Sequence, residues 1–121
     1  MSNLKQVIVM RKDLNMRKGK MVAQGAHASL LVSLEMLRLK TNRDLFFEWV
    51  ENGMTKICLS VDSEKELMDL YKRVCALSIP CECVLDAGRT EFNGVPTRTC
   101  LAIGPWYSTE IDRFTGELKL L

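Results

Sequence analysis

The chain has 121 residues, of which 47% are apolar and 26% charged, and its formal net charge is +2. This length and composition fit a single domain, residues 1–121, with room for one substantial core. No run approaches the roughly 20 apolar residues of a membrane span, and the N-terminus lacks the long apolar stretch of a signal peptide. We therefore expect a cytoplasmic protein that does not enter a membrane.

The five cysteines are an odd number and contain no Cys-x-x-Cys pair. Four of them lie in strand-like apolar runs and one in a helix-like run: Cys58, Cys81, Cys83 and Cys100, and then Cys75. Free cysteine behaves as a small buried apolar residue, so we predict reduced thiols in the core. A single histidine and scattered thiols do not give the ligand spacing of a zinc site, so no metal is expected.

Positive charge is concentrated between residues 11 and 20. Five cations stand there against one acid, namely Arg11, Lys12, Arg17, Lys18 and Lys20 against Asp13. One basic region on a nearly neutral body predicts an anionic partner that binds at a defined place. The alternative is a charged loop that is merely solvated.

The first predicted elements are a strand and a long helix. The short, continuously apolar run 5–11 predicts a strand that is buried on both faces. Helical spacing follows over 19–39, and the first half of this helix is rich in small residues, which allows close approach to a sheet or a partner. One apolar stripe of the helix contains Val22, Ala26, Leu30, Ser33 and Leu37.

The middle of the chain predicts a second helix over 42–52, with Asn42 as its cap and Gly53 at its end. A second buried strand is predicted over 56–61. The sequence Ser-Glu-Lys-Glu at 63–66 has the form of a capping box and begins a third helix.

The last third of the chain predicts a strand over 81–86, a loop over 87–98 and a fourth strand over 99–105. A short helix capped by Ser108 and an apolar tail follow.

This order of elements predicts an α/β fold, a mixed four-stranded sheet flanked by helices on both faces. The first three strands are joined by helices and should be parallel, whereas the fourth follows a loop and should be antiparallel. Ligands of such sheets bind at the carboxyl ends of the parallel strands. The basic loop and the segment 86–90 both follow such ends, so we expect them at one edge of the sheet.

Two groups of polar residues at this edge can carry chemistry. Lys20, Gln24 and His27 are spaced i, i+4 and i+7 and share one helix face; the alternative is a solvated stripe. The segment Asp-Ala-Gly-Arg-Thr at 86–90 combines a carboxylate, a flexible glycine, a bidentate phosphate donor and a hydroxyl. An ordinary turn is the alternative interpretation of this segment.

Four stretches give the chain a resemblance to a known family. They are VIVMRKDLNMRKGKMVAQGAHAS, VLDAGRT, TCLAIGP and, at the end, IDRFTGELKLL. In this order and at these separations, the chain resembles type 2 (archaeal and eukaryotic-type) peptidyl-tRNA hydrolase over essentially its whole length. The resemblance implies hydrolysis of the ester between a peptide and the 3′ ribose of tRNA, which releases free tRNA, without a metal or organic cofactor. It also implies tRNA as partner and a possible homodimer.

The resemblance assigns functional residues to both groups. It implies that the catalytic residues are Lys18, His27, Asp86, Thr90 and Thr99, and that the substrate-binding residues are Lys20, Gln24, Gly88 and Arg89. The chain departs from the family pattern at Arg17, Ala102 and the pair Trp106–Tyr107, which we place beyond the end of the fourth strand.

The implied mechanism is direct attack of water on the ester. Asp86 would orient or deprotonate the water, whose position Thr90 or Thr99 would fix. His27, the residue type that changes charge near neutral pH, would shuttle a proton.

The cations complete the implied mechanism. Lys18 would stabilise the developing oxyanion, and Lys20 with Arg89 would hold phosphate or the terminal ribose. Two alternatives of other classes remain, a tRNA-binding module without turnover and a protein–protein adaptor that uses the small-residue helix.

Overall fold

We describe the fold from a computed structural model, which covers residues 3–89 and 91–121. The strands are β1 (Leu4–Arg11), β2 (Lys56–Val61), β3 (Cys81–Asp86), β4 (Thr97–Tyr107) and β5 (Lys119–Leu120). The helices are α1 (Lys18–Met36), α2 (Lys40–Glu51), α3 (Glu64–Ala76) and α4 (Ser108–Thr115), and a single 3₁₀ turn spans Phe92–Gly94.

The strands form one mixed sheet in the order β3-β4-β1-β2-β5. β1 and β2 are parallel, and β4 runs antiparallel to both β1 and β3, so the first three strands point the same way as predicted. The α/β class is confirmed, but the expectation of four strands is wrong. The fifth strand is two residues long and pairs with Leu59 and Ser60 of β2, which is too short for an alternating pattern to reveal.

Apolar side chains pack on both faces of the sheet, because the central strand β1 is rich in apolar residues along its length. Val7 and Val9 point into the core beneath α3 and α4, whereas Ile8 and Met10 point into the core beneath α1. The predicted burial of this strand on both faces and the predicted helices on both faces are therefore confirmed.

The buried face of α1 differs from the predicted stripe. Its buried residues are Gln24, Gly25, Ala28, Val32 and Met36. Of the predicted stripe, Val22 and Leu30 are 72% and 58% exposed. The row that faces the sheet begins with glutamine, glycine and alanine, so few of its first side chains are large and apolar. The larger apolar side chains of the neighbouring row therefore determined the predicted stripe.

Several helix ends also depart from prediction. Helix α2 begins at Lys40, which places Asn42 inside it rather than at its cap. The cap at Ser63 is confirmed, because its hydroxyl accepts a hydrogen bond from the Glu66 amide at 3.0 Å. Ser108 is the first residue of α4 rather than its cap, and its hydroxyl donates to the Asn3 carbonyl at 2.6 Å.

Strand β4 extends through Trp106 and Tyr107, which the sequence interpretation placed beyond its end. Opposite them on β1 lie Lys5 and Leu4. The apparent stop at Gly104-Pro105 was misleading, since pairing with β1 resumes after a local irregularity.

The cysteines are only partly in the core. All five are free thiols, and Cys81 and Cys100 are buried, but Cys58 and Cys75 are exposed. The prediction of core thiols is thus wrong for these two. Among the described residues, no helix is long and apolar enough to cross a bilayer.

Candidate active site

The side chain of Asp86 is the centre of a polar cluster at the carboxyl end of β3. Its Oδ1 accepts hydrogen bonds from the Lys20 ammonium at 3.0 Å and from the Gln24 amide at 3.2 Å. The side chains of Asp86 and Lys20 are each 15% exposed. The start of helix α1 and the end of β3 therefore meet at one sheet edge, as predicted.

Gly88 holds the other carboxylate oxygen in place. Its backbone N–H donates to Asp86 Oδ2 at 2.8 Å. The residue has a φ of +78°, and a Cβ there would lie 2.4 Å from the Val95 carbonyl oxygen. Both the left-handed backbone and this close approach require glycine, so glycine at this position is needed for the turn whose N–H contacts Asp86.

The three donors keep Asp86 ionised. Chiefly the Lys20 hydrogen bond, and with it the Gly88 amide, the Lys20 charge and Gln24, hold the pKa of the carboxyl below its ordinary value, whereas burial opposes this shift. A carboxylate with a lowered pKa is a weaker proton acceptor. Asp86 is thus better suited to orienting a water or a lysine than to removing a proton.

Gln24 and Thr99 support the carboxylate from below. The Thr99 hydroxyl donates to Gln24 Oε1, so the amide nitrogen of Gln24 is turned toward Asp86. Gln24 is 2% exposed and Thr99 is fully buried. The structure therefore brings both predicted residues to the site, where Gln24 joins Thr99 to Asp86.

The basic segment divides into buried and exposed cations. Arg11 is buried, and its guanidinium donates to both carboxylate oxygens of Asp13 and to the Arg98 carbonyl. These bonds join the loop before α1 to the start of β4, and the hydrogen bond to Asp13 is the main cause that raises the pKa of Arg11. Lys12 and Arg17, by contrast, are exposed to solvent.

Lys18 does not share the environment of Lys20. It is exposed, and it lines an apolar groove between α1 and α2. Two residues correspond to a rotation of about 200° around a helix, so the two lysines leave α1 on nearly opposite sides. The lysine in contact with Asp86 is therefore Lys20, which the resemblance had assigned to phosphate or ribose.

The remaining predicted residues are less closely joined to this cluster. His27 is exposed on the same flank of α1 as Lys20, about 10 Å farther along the helix at 1.5 Å per residue. Arg89 is exposed in the loop after Gly88. Thr90 lies outside the described residues.

Phe92 is a site residue that sequence reasoning missed. Its ring lies 5.7 Å from the Lys20 ammonium, and its φ is +63°, which is unusual for an aromatic residue. An aromatic residue in a glycine-containing loop carries no sequence signal for such a contact. Within residues 3–89 and 91–121, no group of three His, Cys, Asp or Glu side chains has the arrangement of a metal site.

Comparisons with known proteins identify the family. A family model described as "Peptidyl-tRNA hydrolase PTH2" matches residues 4–121. A peptidyl-tRNA hydrolase of Methanocaldococcus jannaschii is 44% identical over 98% of this chain and 100% of its own length. One of Nanoarchaeum equitans is 43% identical, covering 97% of this chain and 98% of its own.

A solved structure shares the fold without close sequence similarity. It is a protein of unknown function from Agrobacterium tumefaciens strain C58, with a TM-score of 0.64 and 10% identity over 100% of this chain and 99% of its own. That likeness concerns the fold alone. The family match and the archaeal relatives lead to one conclusion: this chain belongs to the peptidyl-tRNA hydrolase family PTH2.

Proposed function

We propose that this protein hydrolyses the ester bond between a peptide and the 3′ ribose of tRNA and thereby releases free tRNA for translation. The observation that carries the proposal is the ionised Asp86 beside the Lys20 ammonium, at a sheet edge bordered by exposed cations, in a chain of this family. This arrangement pairs a group that can orient water with a positive charge that can stabilise an oxyanion.

The chemistry follows from the cluster. A water oriented by Asp86 attacks the ester carbonyl and gives up its proton to solvent, and negative charge develops on the carbonyl oxygen. The bond between the carbonyl carbon and the 3′ oxygen of the ribose then breaks, and this oxygen takes up a proton from solvent to leave as the free 3′ hydroxyl of tRNA. The Lys20 ammonium, already fixed at 3.0 Å from Asp86, stabilises that charge without reorganisation. We assign this role to Lys20 in preference to Lys18, because Lys18 lines the groove on the opposite flank of α1.

Three other residues have supporting roles in this proposal. Thr99 and Gln24 fix the orientation of Asp86, since both are buried and hydrogen-bonded to one another. His27 remains the candidate for proton exchange with solvent, from its exposed place on the same flank of α1.

The tRNA contacts fall to the exposed cations. Lys12, Arg17, Lys18 and Arg89 are all solvent-exposed, the first three before or at the start of α1 and Arg89 in the loop after β3. Such cations bind phosphate through release of counterions. We accordingly propose peptidyl-tRNA as the substrate and the cytoplasm, where translation takes place, as the location.

A homodimer is a further part of this proposal. Leu31 and Leu34 are 43% and 53% exposed and continue the row of Lys20 and His27 along α1. Exposed apolar side chains in contiguous patches are typical of interaction surfaces. Sedimentation velocity of the purified protein tests it, and a monomer at micromolar concentration would contradict it.

The activity is tested by comparing two esters that differ in one group. A free aminoacyl-tRNA has an α-amino group with a reference pKa of ~7.7–8.0, so it is largely cationic at pH 7. Lys18, Lys20 and Arg89 repel such a cation, and acetylation removes the charge. We expect N-acetyl-aminoacyl-tRNA to be hydrolysed much faster than the same free aminoacyl-tRNA.

The other outcomes of this comparison identify other functions. Equal rates would indicate an unselective esterase. Binding of both tRNAs without turnover would indicate a tRNA-binding module, and neither binding nor turnover would favour the adaptor.

A further inference from the structure

An apolar groove lies beside α1, on the flank opposite the Asp86 cluster. It has a volume of about 820 Å³, which is in the upper part of the range for ligand pockets. Strand β1 forms its floor, and α1 and α2 form its walls. The lining residues used below are Ile8, Met10, Val22, Ala26, Trp49 and Val50.

The groove begins at the first turn of α1, close to the proposed catalytic centre. Lys18, the first residue of the helix, lines the groove, and Lys20, two residues on, contacts Asp86. Between them, a methyl group placed on Gly19 would meet no atom within 4 Å among the described residues, apart from its chain neighbours and the backbone of its own helix. The surface between the two sites is therefore open at this turn.

The separation of the two sites is about one helix width. A helix with its side chains is about 10–12 Å across, and an extended chain advances about 3.3 Å per residue. Three or four residues therefore suffice to pass from the ester at Asp86 around the start of α1. Residues beyond these reach the groove, whereas a single aminoacyl group does not.

We propose that this groove binds the apolar part of the peptide carried by the tRNA, from about the fourth residue counted from the ester. The inference rests on the proposed function and extends it from the reacting bond to the peptide. The exposed apolar side chains of Val22 and Val50 provide the contact surface, and backbone carbonyls of the peptide can accept hydrogen bonds from Lys18.

The substrate is a better occupant than a second copy of the chain. The groove is concave and shares Lys18 with the cation cluster around the site, so a peptide attached at the ester is delivered to it in each turnover. A second copy would have to present a matching ridge from this same face, because the interface of a two-fold dimer is self-complementary.

The test compares peptide length in a variant that alters the groove alone. The substrates are one tRNA carrying either an N-acetyl-aminoacyl group or an apolar hexapeptide with the same esterified residue. Val22→Glu places a charge in the groove at a side chain that is 72% exposed, so folding is spared. Leu77→Glu, at a 61% exposed position just after α3, makes the same change elsewhere.

We expect kcat/KM of the wild type to be about tenfold higher for the hexapeptidyl substrate than for the N-acetyl-aminoacyl substrate. Burial of about one apolar side chain in the groove accounts for a difference of this size. Val22→Glu should remove this advantage and leave the short substrate unaffected, whereas Leu77→Glu should preserve it. An equal loss on both substrates, or no length preference in the wild type, would overturn the inference.

Two further measurements separate the remaining explanations. The ratio of Kd values for the two substrates, measured in an Asp86→Asn background, tests the groove without turnover. If the wild type does not hydrolyse the short substrate, that result therefore contradicts only the proposed function, and the Kd ratio still tests the groove. In sedimentation velocity, Val22→Glu could instead change the mass of the particle while the ratio of Kd values stays unchanged. This result would assign the groove to a second copy of the chain and contradict its assignment to the peptide.

Discussion

The two flanks of helix α1 differ sharply although their residues alternate along the chain. On one flank, Lys20 and Gln24 hold Asp86 through hydrogen bonds of 3.0 and 3.2 Å. On the other, Val22 is 72% exposed and Ala26 lines an apolar groove. A rotation of about 100° per residue is enough to separate a reaction centre from an apolar surface on one helix.

The difference originates in what each flank faces. The polar flank packs against the carboxyl end of β3 and the start of β4, where Gln24 makes hydrogen bonds with Asp86 and Thr99. The apolar flank meets the half of the sheet around β2, where Cys58 remains exposed. Variants on the polar flank should therefore change the chemistry equally for every peptide, and variants on the apolar flank should act only on long ones.

Asp86→Asn should have the largest effect on the polar flank. We expect kcat to fall by about two orders of magnitude or more, the scale for loss of a residue that acts on the attacking water. Single-turnover hydrolysis of N-acetyl-aminoacyl-tRNA measures it, and a filter-binding titration should show that tRNA binding is retained. Turnover near the wild-type level would remove Asp86 from the mechanism.

Lys20→Met should lower kcat by about 10²-fold, as expected for loss of a group that stabilises an oxyanion. It should also raise the pKa of Asp86, because the Lys20 hydrogen bond is the main cause of its lowering. Lys18→Met is the matched variant, and a larger loss of kcat there would return the oxyanion role to Lys18.

The pH dependence of Lys20→Met provides a second readout. Because the pKa of Asp86 is lowered in the folded protein, its contribution to stability is present above the ordinary pKa and is lost as pH falls through the lowered folded value, and activity is lost over the same range. The acid limb of the kcat/KM profile should therefore move to higher pH in Lys20→Met. An unmoved limb would show that another group governs it.

Thr99→Val should lower the stability of the protein through the buried partner of Gln24. It leaves the buried Gln24 Oε1 without its donor, which costs about 1–3 kcal/mol of the free energy of unfolding. Urea denaturation measures this change, and Thr97→Val on the same strand, whose hydroxyl is exposed, should alter stability far less. Equal stabilities of the two variants would mean that Gln24 finds another donor.

The exposed cations should give the smallest effect per residue. Replacing Lys12 or Arg17 by Ala should reduce the slope of log K against log salt for tRNA binding by about 0.7–0.9 for each phosphate that the side chain neutralises. Lys65→Ala, on the far side of the sheet and paired with Asp69, is the control. A slope equal to that of the control would identify Lys12 and Arg17 as solvated charges.

Prediction from sequence was most successful where local signals are strong. The strand over 81–86 and the Ser63 cap are both present, because a bounded apolar run and a capping box act over a few residues. It was weaker for the buried face of α1, since a row beginning with Gln24, Gly25 and Ala28 is not apolar enough to be recognised. It missed β5, whose two residues pair only because the chain returns to β2.

The sequence by itself determined the α/β class, the edge of the sheet at which the polar residues gather, and the family. These follow from the order of elements and from motifs in fixed positions along the chain. Only the tertiary structure decided which lysine reaches Asp86, because Lys18 and Lys20 are equivalent in type and differ in rotation around α1. It also decided that Thr99 and Gln24 are buried supports and that Val22 lines an open groove. Such distinctions depend on which side of the helix meets the sheet, and that is set by packing between segments that lie far apart along the chain, as Lys20 and Gln24 do from Asp86.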